Sequence, residues 1–127
     1  MNDPIAYLEA IKLRLIASPI IAEYRILKER ATRTDGYLRL RATLTNGDFL
    51  ELVEAFERGP SEIVVVDYRH QWMDASQSRL RRRWDGAPHQ AELPDSPHHV
   101  HIESEDNVVP GKPMSILAVL DELERLT

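Results

Sequence analysis

Apolar residues recur at Ile5, Leu8, Ile11 and Leu15, three or four positions apart, which predicts an amphipathic helix over residues 4–17. Asp3 is suited to cap it and Pro4 to open its first turn. Ser18-Pro19 ends it, because a residue before proline is steered away from helical angles. The period then shortens to two. Leu38, Leu40, Ala42 and Leu44 alternate with Tyr37, Arg39, Arg41 and Thr43, the pattern of a strand with one apolar and one polar face. Asn46-Gly47 is a hairpin signal, since both turn positions require positive φ. It leads into a strand over Phe49–Phe56. Arg58–Ser61 forms the next turn, Ile63–Trp72 is the most strand-like run, and Ala75–Ser78 turns it into Arg79–Trp84. Ala22–Ala31 reads as the first strand, with Thr32–Gly36 as its turn.

Residues 85–98 hold Pro88, Pro94, Pro97 and Gly86 and are expected to form an irregular loop crossing the sheet. Val100–Ile102 is suited to a short edge strand, and Asn107–Pro113 reads as a turn region. Ser115 then caps a final helix whose Ile116, Leu117, Leu120 and Leu123 make one apolar stripe. The expected architecture is a single α+β domain over residues 1–127: N-terminal helix, five- or six-strand antiparallel meander, and C-terminal helix packed on one face of the sheet.

A chain of 127 residues that is 43% hydrophobic can bury a core without staples. The absence of cysteine excludes disulfides, a thiolate metal site and a cysteine nucleophile, and suits a reducing compartment. The N-terminal stretch meets charged residues too often for a signal peptide or membrane span, so a cytoplasmic location without membrane attachment is expected. The net charge of −5 argues against nucleic-acid binding through bulk charge, yet its distribution is uneven. Arg69, Arg79, Arg81, Arg82 and Arg83 face only Asp74 in their stretch. Six acids crowd the region after Ile102, against Lys112 and Arg125. Basic band and acidic tail can serve different partners or attract each other.

By strand alternation Arg39 and Arg41 share a face, Arg79, Arg81 and Arg83 share another stretch of it, and Arg69 joins them from the central strand. If the helices cover the opposite, apolar face, these six arginines form a platform suited to a phosphate backbone. The alternative is a solvated face paired with Glu51, Asp67 and neighbouring acids. His99 and His101 point the same way if Val100 is in a strand, with His98 opposed. RNA cleavage through its own 2′-OH needs a base, an acid and a cation for the phosphorane. His99 and His101, with Arg81 or Arg83, suit those roles without a cofactor. His89 is a further candidate, and Asp85 can orient an imidazole as carboxylates do in acid–base sites. Metal binding would need His89, Asp85 or Asp95 to fold back towards the histidine pair, and no metal is expected. The competing reading packs the histidines against Trp72 and Trp84. Trp84 is expected to anchor its strand end and offers a surface for substrate, whereas His70 is expected in the core. No glycine-rich phosphate loop, GxSxG elbow or dinucleotide fingerprint is present.

The strand Tyr68-Arg69-His70-Gln71-Trp72, the run Arg83-Trp84-Asp85-Gly86-Ala87-Pro88-His89 and the run Pro97-His98-His99-Val100-His101, set between the two helices, resemble the TumE family of bacterial toxins over nearly the full length. Members carry His-His after Ala-Pro where this chain has His89-Gln90. The resemblance implies a toxin of a type II toxin–antitoxin pair, with a cognate antitoxin of the helix-turn-helix kind as partner. It supplies no catalytic residues. Residue chemistry points to a metal-independent ribonuclease. A binder that blocks a translation target without chemistry, and a metal-assisted nuclease or nucleotidyl-modifying enzyme, stand as alternatives. The acidic last helix or a sheet edge is available to the antitoxin, and a homodimer is equally compatible.

Overall fold

The computed structural model describes residues 1–86, 98–104, 106–111 and 113–127. Helix α1 (Pro4–Ala17) is capped by Asp3, whose side chain accepts the Ile5 N–H at 3.1 Å, and it stops at Ser18. Seven strands follow: β1 (Ile21–Ala31), β2 (Asp35–Leu44), β3 (Phe49–Arg58), β4 (Ile63–Met73), β5 (Leu80–Asp85), β6 (His99–Ile102) and β7 (Val108–Pro110). Helix α2 (Ile116–Leu126) closes the chain, with the Ser115 side chain accepting the Ala118 N–H. The strands lie in the sheet in chain order, every neighbouring pair antiparallel. This is the α+β meander expected, longer by β7. The turn assigned to Asn107–Pro113 holds that short strand, whose Val108 and Val109 pair with His101 and Val100. Three residues are too few to show a period in sequence.

Both helices cover one face of the sheet. The alternating residues Leu38, Leu40, Ala42 and Leu44 of β2 and Leu50, Leu52 and Phe56 of β3 meet Leu8, Ile11 and Leu15 of α1 and Val119, Leu120 and Leu123 of α2 in one buried core. The acids of α2 do not stand alone at its C-terminal half. Arg14 of α1 pairs with Asp121 at 2.9 Å and with Glu124, while Glu122 accepts Arg125 and lies 3.7 Å from Arg82 of β5. Basic band and acidic tail thus meet within the chain.

One charged residue interrupts the apolar row of β3. Glu54 is fully buried, accepting a hydrogen bond from the Tyr7 hydroxyl at 2.5 Å and from the Ile116 N–H at 2.6 Å. It therefore ties α1, β3 and the first turn of α2 together. Desolvation pushes its carboxyl up to about 7, against the lowering effect of those two donors.

Candidate active site

Cross-strand register decides which side chains meet. On β3 the pairs Leu50↔Trp72 and Glu54↔Tyr68 put Tyr68, His70 and Trp72 of β4 on the helix-covered face, leaving Arg69 and Gln71 on the other. The pairs Arg69↔Asp85 and Gln71↔Arg83 extend that outer face to β5, and Asp85↔His99 and Arg83↔His101 extend it to β6. Four chemically capable residues from two adjacent strands are thereby set side by side. The His99 Nε2 lies 4.0 Å from Asp85 Oδ2, and the two imidazole rings are 5.0 Å apart, nearly perpendicular. Asp85, His99 and His101 each present a ligand atom within 4.8 Å of the other two. All four residues are buried, His99 to 1% and His101 to 4% exposure. Arg83 Nε donates to Gln71 Oε1 at 2.7 Å, and Arg69 stands 3.9 Å from Asp85 at the cluster's exposed side.

Arg81 departs from its expected place. The ladder shifts between Trp72↔Arg82 and Met73↔Leu80, so β5 carries an extra residue there. Such a bulge reverses the facing of what lies beyond it. Arg81 consequently meets buried Asp48 at 2.8 Å and lies over the Trp72 ring, whose Nε1 donates to the same carboxylate at 2.9 Å. Arg81 is therefore separated from Arg83 and from the histidine pair. Arg79 precedes β5 and pairs with Glu103 at 3.7 Å on the surface. Trp84, expected to offer a surface for substrate, instead belongs to the core, because its partner His70 lies on the helix-covered face. His89 lies outside the described residues.

Arg39 and Arg41 do share the outer face with the cluster, and both reach Glu51, at 3.4 and 2.9 Å. Of the six arginines expected on one platform, Arg39, Arg41, Arg69 and Arg83 lie on this face, with Glu51 offsetting part of their charge, whereas Arg81 is turned away and Arg79 pairs with Glu103. His98 faces the opposite way to His99: its Nδ1 is 2.9 Å from the Tyr68 hydroxyl, and the two rings stack. His70 is the core histidine expected. Its Nδ1 accepts the Val53 N–H and its Nε2 bonds the Met114 carbonyl at 3.0 Å, an arrangement that requires the neutral ring. Burial lowers it to about 4, against the opposing effect of the Met114 bond.

A family model described as Toxin TumE matches residues 11–127, which include every residue of this cluster. The chain belongs to the TumE toxin family. No curated protein and no solved structure matches it. As a TumE toxin it has no helix, among the described residues, long and apolar enough to cross a membrane. Sequence reasoning missed Asp48 and Glu54. Asp48 sits in a turn, where acids are common, but Glu54 falls on the apolar period Leu50, Leu52, Phe56, and that misplaced charge is a readable signal.

Proposed function

We propose that this TumE toxin is the toxin half of a type II pair and acts on RNA as a metal-independent ribonuclease. The observation that supports this reading is the convergence of His99, His101, Asp85 and Arg83 across β5 and β6. His99 takes the proton of the ribose 2′-OH, and the Asp85 carboxylate offsets the charge its ring gains. The 2′-oxygen attacks phosphorus. Protonated His101 then gives its proton to the departing 5′-oxygen, leaving a 2′,3′-cyclic phosphate and a 5′-hydroxyl. Arg83, directly across from His101, stabilises the negative charge of the pentacoordinate phosphorus. Arg39, Arg41 and Arg69 provide a cationic approach along the same face. The scheme requires the buried imidazoles to become accessible when RNA docks.

The partner is the cognate antitoxin, a helix-turn-helix protein on this reading, bound away from the cluster at the sheet edge or on α2. The deciding experiment compares total RNA in bacterial cultures expressing the wild type or a His99→Ala/His101→Ala variant. Loss of general acid–base catalysis costs roughly 10²–10⁴-fold per group, so RNA fragments with the wild type and stays intact with a folded double variant. Intact RNA under growth arrest by the wild type refutes the ribonuclease reading and leaves target blocking. Equal fragmentation by both proteins makes the histidines structural.

A further inference from the structure

The same three side chains form a second kind of arrangement. We infer that Asp85, His99 and His101 constitute a binding site for a divalent first-row transition metal, and that occupancy of this site holds the toxin inactive. The second part rests on the acid–base reading above, and the first does not.

The geometry is that of a three-ligand metal site from adjacent strands. His99 and His101 are two apart on β6, so the pleat aims both rings to one side, and Asp85 is placed opposite His99 by the β5–β6 register. Each offers one donor atom, and the three atoms lie within 4.8 Å of one another. Two ligands on a common tetrahedral zinc are about 3.3 Å apart at ordinary Zn–N lengths, so small side-chain rotations close the site. Two imidazoles and one carboxylate leave a coordination position for water or a further ligand. Burial of all three donors favours retention of an ion once bound.

The surrounding charges select the ion. Arg83 lies across from His101, and Arg69 stands 3.9 Å from the Asp85 carboxylate. With one carboxylate beside two guanidinium groups, the site is poor for magnesium or calcium, which are held by accumulated oxygen charge. Ions that bond strongly to imidazole nitrogen are affected less, which leaves the zinc end of the first-row series.

Occupancy and catalysis exclude each other chemically. A ring nitrogen that donates its lone pair to a metal can neither take the 2′-OH proton nor carry one to the leaving oxygen. The metal-free protein is then the active ribonuclease, and zinc is its inhibitor.

The test uses the untagged full chain, stripped with chelator and dialysed against buffered Zn²⁺ or Mg²⁺, with retained metal measured by atomic absorption. One zinc per chain and no magnesium is expected. Zinc affinity should be at least tenfold weaker in His101→Gln and in Asp85→Asn, each checked for native far-ultraviolet circular dichroism. Failure of the wild type to retain zinc, or undiminished retention by both folded variants, overturns the site. A parallel RNA-cleavage assay separates the two readings. Cleavage by stripped protein that falls as zinc is added supports the inhibitory role. Cleavage that appears only with zinc overturns that role and the metal-independent mechanism, while the dialysis result still judges the site.

Discussion

Replacing Glu54 by Gln is a direct test of how the buried acid sets the pH dependence of stability. Its carboxyl, raised from 4.5 to about 7 by desolvation, is protonated more readily in the folded chain than in the unfolded one. The stabilisation from that difference is full below the unfolded value and is lost as pH rises through about 7. At 1.36 kcal/mol per pH unit the difference amounts to about 3 kcal/mol. The Glu54→Gln side chain keeps the contacts with one reversal: its oxygen accepts the Ile116 N–H, while its amide nitrogen donates to the Tyr7 oxygen, whose own hydrogen, donated to Glu54 in the wild type, turns away. The variant should match the wild type within about 1 kcal/mol at pH 4.5 and exceed it by up to about 3 kcal/mol at pH 8.5. Urea midpoints followed by circular dichroism at pH 4.5, 6, 7 and 8.5 give the comparison. Parallel pH profiles for the two proteins refute the reasoning, and so does a variant that loses ground to the wild type above pH 7.

His70 works in the opposite sense. Its lowered value of about 4 gives stability that is full above 6.5 and is lost as pH falls from there through about 4, so His70→Gln should flatten the acid limb of the same titration. Between pH 4.5 and 6.5 the two residues offset each other, and the wild-type profile there should be nearly level. Asp48→Ala removes the acceptor shared by Trp72 Nε1 and Arg81 and should cost about 2 kcal/mol in urea unfolding, as loss of a charged buried acceptor does. Glu51→Gln releases Arg39 and Arg41 and should tighten binding of single-stranded RNA several-fold at low salt, measured by fluorescence anisotropy. Unchanged affinity argues that RNA does not cross β2 and β3.

The parts of the fold legible in sequence are those where chemistry acts locally. Asp3-Pro4 and Ser18 mark helix ends through their own backbone preferences, and Asn46-Gly47 does mark a turn. Only Gly47 takes positive φ, at 92°, and Asn46 does not, so the turn is not the type with both positions positive that the dipeptide predicts. The alternation in β2 reports burial because one of its faces is covered along nearly its whole length. The common facing of His99 and His101 follows from the pleat alone. Their meeting with Asp85 and Arg83 depends on register across β5 and β6, which no local pattern contains. Arg81 shows the limit most clearly: two-residue periodicity assumes an unbroken ladder, and one extra residue turns that guanidinium to the other side. Trp84 defeats the pattern for a related reason, since an indole at a strand end looks available until its neighbour His70 is seen beneath the helices.

Sequential strand order has a consequence for how the toxin comes into being on the ribosome. During synthesis each strand emerges next to the partner it will keep, so β1 to β4 can assemble as successive hairpins before the rest of the chain exists. The cluster waits for β6, and the core waits for α2, whose first N–H bonds Glu54 across 62 positions and whose Asp121 meets Arg14 across 107. A growing chain thus acquires its scaffold early, its histidine cluster with β6 and its finished core only with α2. Translation that stops short of α2 releases a sheet whose apolar face α1 covers only in part, suited to proteolysis rather than to poisoning the cell that made it.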